Sequence, residues 1–121
     1  MPIQRILIVD DSPVERHILP EALTGKGYAI SIATDGTQGI EAAKREQPDL
    51  IIMDVVMPGM NGFQATRALN RDETTRHIPV ILCTTKNEET DKIWGMRQGA
   101  QDYVTKPIDP ATLLAKIAAL G

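Results

Sequence analysis

The chain has 121 residues, a formal net charge of −3, and a composition that is 42% hydrophobic and 24% charged, as expected for one globular domain. It lacks the basic patch of a nucleic-acid-binding protein, so we expect no nucleic-acid partner. It also lacks a signal-peptide pattern and an apolar run near the ~20 residues of a membrane span. The single cysteine, Cys83, cannot form an internal disulfide. These features predict a cytoplasmic protein without membrane insertion and one domain over residues 1–121.

In the first half of the chain, short apolar runs alternate with helical patterns. Ser12 is a suitable N-cap for the first helix, and Asp35 for the second. Pro20 lies inside the first helix, where a proline removes a hydrogen bond, so we expect a kink there or a helix in two pieces. The predicted elements are, in order, a strand at Arg5–Val9, a helix from about Pro13 to Thr24, a strand at Ala29–Ala33 and a helix from Gly36 to about Glu46.

The second half repeats this alternation three times. Gly99 is placed to end the fourth helix as its C′ residue, and Asp109 to cap the fifth. Leu113, Ile117 and Leu120 form one apolar stripe on the fifth helix. The predicted elements are a strand at Leu50–Met53, a helix from Gly62 through Leu69, a strand at Pro79–Cys83, a helix from about Asn87 to Gln98, a strand at Asp102–Val104 and a helix from Pro110.

Five strands that alternate with five helices predict the α/β class. Three of the runs are nearly continuous in Ile, Leu, Val or Met, which is typical of strands buried on both faces. Right-handed crossovers then give a parallel sheet with helices on both faces.

Charged and hydroxyl side chains follow the predicted strands at their carboxyl ends. Asp10 and Asp11 follow the first strand, Asp54 the third, Thr84 the fourth and Lys106 the fifth. In open α/β sheets, ligands bind at this edge. Carboxylates ~4 Å apart repel by about 4 kcal/mol at an effective dielectric near 20, so the acids require counter-charges. We expect Lys106 and a divalent cation to supply them.

These residue types suit phosphoryl transfer. Mg²⁺ binds carboxylate, carbonyl and phosphate oxygens, and Asp11, Asp54 and a backbone carbonyl just after Asp54 are suitable ligands. Asp54 can act as a nucleophile because carboxylates form acyl phosphates. Lys106 would neutralise the phosphoryl oxygens and Thr84 would donate a hydrogen bond to one of them. The Lys106–Pro107 bond is a candidate cis peptide.

Taken together, these motifs resemble those of the receiver domains of two-component response regulators. The matching segments cover essentially the whole chain and occur in the family's order. They are Val9–Ser12, Met53–Gly62, Pro79–Thr84 and Gly99–Pro107. The resemblance implies a flavodoxin-like five-stranded parallel sheet in the order 2-1-3-4-5, an order of which a receiver is a known example.

The resemblance also implies a role for each site residue. Asp54 would accept a phosphoryl group from a histidine kinase, while Asp10, Asp11, Asp54 and the Val56 main-chain carbonyl would bind Mg²⁺. Thr84 and Lys106 would contact the phosphoryl group, and Thr84 and Tyr103 would form the switch. The surface of the fourth helix, fifth strand and fifth helix would then bind a downstream protein. Such a protein catalyses its own phosphotransfer and dephosphorylation but is not an enzyme, and no output domain is expected.

A narrower resemblance points to the single-domain, chemotaxis-like receivers of type IV pilus twitching motility. It is based on Gly62–Arg67, Thr84–Lys86 and Thr90–Gly95. Val56 and Lys86 replace the polar and acidic residues of the best-known chemotaxis receiver beside the path of an attacking water, so the phosphate lifetime of that receiver does not transfer.

Two other functions are compatible with parts of the pattern. A metal-dependent phosphatase with an aspartyl nucleophile would usually carry a second acid at the position of Val56, and a cap domain. An interaction module that works without phosphorylation would not need the full set of acids, threonine and lysine.

Overall fold

The computed structural model describes residues 3–12, 20–57, 59–84, 89–106 and 108–120, with the backbone alone for residues 89–92. Five parallel strands form one sheet, and four helices are described over their length. The strands are β1 (Arg5–Val9), β2 (Ala29–Ala33), β3 (Leu50–Asp54), β4 (Val80–Thr84) and β5 (Asp102–Thr105). The helices are α1 (Gly36–Glu46), α2 (Gly62–Arg71), α3 (Glu89–Arg97) and α4 (Pro110–Leu120).

The strands lie side by side in the order β2-β1-β3-β4-β5, and every neighbouring pair is parallel. This is the sheet order of the predicted flavodoxin-like fold, and the prediction is confirmed. The order reverses at β1 and β3, so the crevice at their carboxyl ends is where a ligand is expected in such a sheet.

Alternate residues of each central strand pack into different halves of the core. Leu7, Val9 and Met53 point to one face, and Ile6 and Ile8 point to the other. All of these side chains are at most 1% exposed. Burial on both faces explains why the strands are nearly continuous in apolar residues, and it holds their carboxyl ends in a fixed register.

The structure moves a few predicted boundaries by one or two residues. β3 and β4 run on to Asp54 and Thr84, so these side chains belong to the strands rather than follow them. β4 begins at Val80, although the Pro79 carbonyl still accepts a hydrogen bond from the Ile51 N–H at 3.0 Å. Leu120 is 36% exposed and does not complete the buried stripe of α4, because the helix ends there.

The predicted caps at Asp35 and Gly99 agree with the structure. α1 has the predicted bounds, and Asp35 caps it by accepting a hydrogen bond from the Gln38 N–H. Gly99 follows α3 with φ +106°, the left-handed conformation expected of a C′ glycine. Residues 20–24 are helical, whereas the rest of the predicted first helix and its kink lie outside the described residues. None of the described helices has the length and apolar character needed to cross a bilayer.

Asp49 stabilises the start of β1, at the edge of the sheet opposite the carboxyl ends of the strands. Its Oδ2 accepts hydrogen bonds from the Gln4 N–H at 3.0 Å and the Arg5 N–H at 2.9 Å. These hydrogen bonds, of which the one from Arg5 has the largest effect, hold the pKa of Asp49 below its ordinary value of 3.8. The residue therefore has a structural role away from the acidic cluster.

The Asp49→Ala variant is expected to lose about 1 kcal/mol of stability at pH 7, because charge-assisted hydrogen bonds to two backbone donors disappear. A lowered folded-state pKa gives stability that is present above the unfolded pKa and lost as the pH falls through the folded value. The difference from the wild type should therefore shrink toward pH 3. Urea unfolding at both pH values measures it, with the exposed Glu41→Ala as control. An equal difference at both pH values would contradict the assignment.

Candidate functional site

The register of the sheet brings the predicted site residues to one edge. Val9, at the end of β1, pairs with Met53, and Asp54 pairs with Cys83 of β4. Thr84 pairs with Thr105 of β5, immediately before Lys106. Asp10 and Asp54 are only 2% and 3% exposed. Two buried carboxylates on adjacent strands are unusual unless a cation or hydrogen bonds compensate them.

Lys106 lies between the two buried carboxylates. Its Nζ is 3.0 Å from Asp54 Oδ1 and 3.6 Å from Asp10 Oδ2, and its side chain is only 13% exposed. The backbone fixes this position, because the Lys106 N–H donates to the Thr84 carbonyl at 2.8 Å. The convergence of acids and lysine that the strand ends predicted is therefore present.

One lysine leaves the acidic cluster with excess negative charge. Asp10, Asp11 and Asp54 each place one carboxylate oxygen within 4.8 Å of the others, and Asp11 is exposed. The Asp10 Oδ1 also accepts a hydrogen bond from the Ser12 N–H at 2.8 Å, which fixes the orientation of that carboxylate. Three hard oxygen donors, one of them open to solvent, fit Mg²⁺ with part of its water shell retained.

The environment of Asp54 stabilises its protonated form more than water does. Burial is the largest cause and raises the pKa of Asp54 to about 6, against the ordinary 3.8. The nearby charge of Asp10 raises this pKa further, while the hydrogen bond from Lys106 and the Val56 N–H lower it. A cation bound at the cluster would favour the carboxylate by the same electrostatics. Ionisation of Asp54 and cation binding are thus coupled at this carboxyl group.

Val56 lies two residues after Asp54, and Thr84 follows Cys83, the partner of Asp54 on the neighbouring strand. The Val56 side chain is 65% exposed, so no polar group projects into solvent two residues after Asp54. Thr84 is 6% exposed and ends β4 next to Lys106. The predicted roles of the Val56 carbonyl and the Thr84 hydroxyl remain predictions. Pro107 and its peptide bond, and Lys86, lie outside the described residues.

Tyr103 borders a small recess behind Thr84. The recess has a volume of about 10 Å³, roughly the room that one water needs, and Thr84, Phe63, Met96 and Tyr103 are among its lining residues. The Tyr103 side chain is partly buried against the core on this side of the sheet. The two residues predicted to form the switch therefore border the same small recess.

Sequence reasoning assigned no role to Gly62, which the structure places against the backbone of Asp54. A Cβ on Gly62 would meet the Asp54 carbonyl oxygen and would lie 2.8 Å from both the Asp54 carbonyl carbon and the Val55 Cα. Asn61 and Gln64 form a capping box at the start of α2, so the helix is anchored there. Their Asn-x-x-Gln spacing was the one available sequence signal.

Other titratable residues lie outside the cluster. Asp49 is at the opposite edge, and Asp102 bonds to Lys116 and to the Tyr103 N–H. Cys83 is buried in β4 and His77 is exposed. His17 lies outside the described residues.

The response regulator receiver domain model matches residues 6–118. The chain belongs to the response regulator receiver family. It is 55% identical over 116 residues to protein PilH of Pseudomonas aeruginosa, with 96% of each chain covered. Its fold is similar to that of the chemotaxis protein CheY4 of Vibrio cholerae, with a TM-score of 0.92, 31% identity, and coverage of 98% of this chain and 99% of that chain.

A third similar protein carries a metal. The receiver domain of the sensor histidine kinase PA1611 from Pseudomonas aeruginosa has a magnesium ion coordinated in its active site cleft. It matches with a TM-score of 0.88 and 32% identity over 96% of this chain and 95% of that one. The family resemblance predicted from the motifs is confirmed, and the identity with PilH agrees with the narrower one.

Proposed function

We propose that this receiver accepts a phosphoryl group on Asp54 from the phosphohistidine of a histidine kinase. The observation that carries the proposal is the placement of a buried Asp54 carboxylate 3.0 Å from Lys106 Nζ. Asp10 and Asp11 lie in the same acidic cluster. Phosphoryl transfer needs positioning and charge neutralisation above all, and the described residues supply both.

In the proposed reaction, an Asp54 oxygen attacks phosphorus, an O–P bond forms, and the N–P bond to the donor imidazole breaks. Lys106 is already within ion-pair distance and would neutralise a phosphoryl oxygen on Asp54, while Thr84 would donate a hydrogen bond to another. Asp10, Asp11, Asp54 and the Val56 carbonyl would hold Mg²⁺, which supplies charge neutralisation for the phosphoryl oxygens. Attack of water on phosphorus would break the Asp54 O–P bond, release inorganic phosphate and return the free carboxylate. The chain modifies itself and is not an enzyme acting on a separate substrate.

The modified carboxyl group would act on protein contacts through Thr84 and Tyr103. A phosphoryl group adds charge and acceptor oxygens. Movement of Thr84 toward it would enlarge the recess of about 10 Å³ beside Tyr103, and the ring would turn inward. The surface of α3, β5 and α4 would then bind a downstream protein with altered affinity. The shift in population can be no larger than the difference in the partner's affinity for the two forms.

The cellular setting is inferred from the relatives. The similarity to PilH over 96% of both chains supports a receiver that works without an attached output domain. Together with the motif resemblance, it supports a role in the chemotaxis-like signalling that controls twitching motility, in the cytoplasm. Output would then pass through contact with a target protein or through removal of phosphate from a shared kinase.

The Asp54→Ala variant tests the proposal, because it removes the attacking oxygen. With radiolabelled acetyl phosphate or a phosphorylated histidine kinase as donor, the wild type should become labelled in Mg²⁺, and the variant should stay at background. Asp49→Ala is the matched control, since it removes a carboxylate from the opposite edge and should be labelled normally. Chelation of Mg²⁺ should suppress labelling of the wild type. Label on a folded Asp54→Ala protein would exclude Asp54 as the acceptor.

A further inference from the structure

A lysine of α4 contacts two consecutive residues of β5. Lys116 Nζ donates to both carboxylate oxygens of Asp102, at 3.0 Å and 3.1 Å. The same Nζ lies 5.5 Å from the centroid of the Tyr103 ring, within the range of a cation–π interaction. The two charged side chains are only 29% and 35% exposed, so solvent screens them less than a fully exposed pair. One cation thus engages both the aromatic ring and its neighbouring acid.

Asp102 links the backbone of Tyr103 to this lysine. Its Oδ1 accepts a hydrogen bond from the Tyr103 N–H at 2.8 Å. The Asp102 carboxylate therefore bonds both to the Tyr103 backbone and to the Lys116 side chain. These contacts hold the Lys116 ammonium group at a defined position beside the ring.

In the proposed switch the ring turns into the recess that it borders. The lining of the recess includes Thr84, Phe63 and Met96 as well as Tyr103, and its volume of about 10 Å³, room for one water, admits the ring only after Thr84 moves. The ring is instead placed within reach of Lys116. Entry into the recess would move the ring away from that cation. The ring is therefore in equilibrium between an outer and an inner position, and the Lys116 contact contributes to the free-energy difference between them.

We propose that Lys116 is a positioning residue that holds Tyr103 outside the recess through its contact with the ring and its ion pair with Asp102. This inference rests on the proposed function, in which the ring turns inward after phosphorylation. Loss of an exposed cation–π contact or ion pair changes an equilibrium by up to about fivefold. Lys116→Met keeps most of the length of the side chain and removes the charge, so it should raise the ratio of inner to outer ring positions by up to about fivefold.

The ring can be observed directly by fluorine NMR after incorporation of 3-fluorotyrosine. The chain has two tyrosines, so two resonances are expected, and Tyr28 serves as an internal reference. Without any phosphate donor, the Tyr103 resonance of Lys116→Met should move toward the position that the wild type reaches with acetyl phosphate and Mg²⁺. Lys116→Arg should resemble the wild type. Lys44→Met, which breaks the Lys44–Asp72 ion pair elsewhere on the surface, should leave the resonance unchanged.

The outcomes separate this inference from the proposed function. An unchanged Tyr103 resonance in Lys116→Met, beside normal labelling of Asp54, would overturn the role of Lys116 alone. The same shift in Lys116→Arg as in Lys116→Met would also overturn it, because the charge would not matter. If the wild type takes up no label, the proposed function fails. A difference between Lys116→Met and Lys44→Met would then still establish that Lys116 positions the ring.

Discussion

Replacement of Gly62 by alanine is expected to destabilise the fold by about 2–4 kcal/mol, more than most single substitutions. The added methyl group would meet backbone atoms of Asp54 and Val55, which cannot move aside like the end of a flexible side chain. The capping box at Asn61 holds α2 in place, so the strain falls on the segment that carries Asp54, the proposed nucleophile. Phosphorylation of the remaining folded protein should also slow, because a small displacement of the reacting groups from their aligned positions lowers the rate of transfer.

Urea unfolding and labelling from acetyl phosphate measure the two effects of Gly62→Ala. Gly25→Ala is the matched control, since a Cβ at Gly25 would find its nearest neighbour at an ordinary contact distance of 3.4 Å. That variant should change stability by less than about 1 kcal/mol and should be labelled normally. Equal stabilities for the two variants would show that the close approach at Gly62 has no energetic consequence.

Replacement of Asp54 by asparagine is expected to stabilise the metal-free protein at pH 7.5. Burial raises the pKa of Asp54 to about 6 from its ordinary 3.8, so keeping this group ionised costs up to about 3 kcal/mol of folding free energy. Asparagine has a similar shape and no charge. Lys106 retains Asp10 as a partner at 3.6 Å, so the variant does not leave the buried lysine isolated. The proposed role of Asp54 as phosphoacceptor and the stability of the fold therefore oppose each other at this residue.

The sign of the pH dependence follows from the raised pKa. The folded state binds the Asp54 proton more tightly than the unfolded state, so this group lowers stability as the pH rises between about 4 and 6. The advantage of Asp54→Asn should therefore be largest above pH 7 and should nearly vanish at pH 4.

Urea unfolding in the presence of a chelator, at pH 7.5 and at pH 4, checks this dependence. Asp11→Asn is the control, because Asp11 is exposed and its substitution should have a much smaller effect. A gain of the same size at both pH values would show that the buried charge is not its cause. Added Mg²⁺ should reduce the gain by stabilising the wild type, since a ligand that binds only the folded state adds to its stability.

Several features of the fold were accessible from local sequence patterns. The runs at β1 and β2 and the bounds of α1 were predicted to the residue, because continuous apolar strands, an aspartate N-cap and a 3.6-residue period are local signals. The edge on which the site lies also followed from sequence, since charges at the ends of parallel strands meet at the same rim. The strand order came from the family resemblance and not from periodicity.

The sequence by itself thus determined the class of fold, the rim that carries the chemistry and the residues gathered there. Only the tertiary structure decided that Asp10 is buried while Asp11 is exposed, and that Lys106 lies nearer to Asp54 than to Asp10. It alone revealed the approach of Gly62 to the Asp54 backbone and the contact of Lys116 with Tyr103. The physical reason is that periodicity and caps act between near neighbours in the chain. Burial and ion pairing depend instead on the register of strands and helices that are distant in sequence.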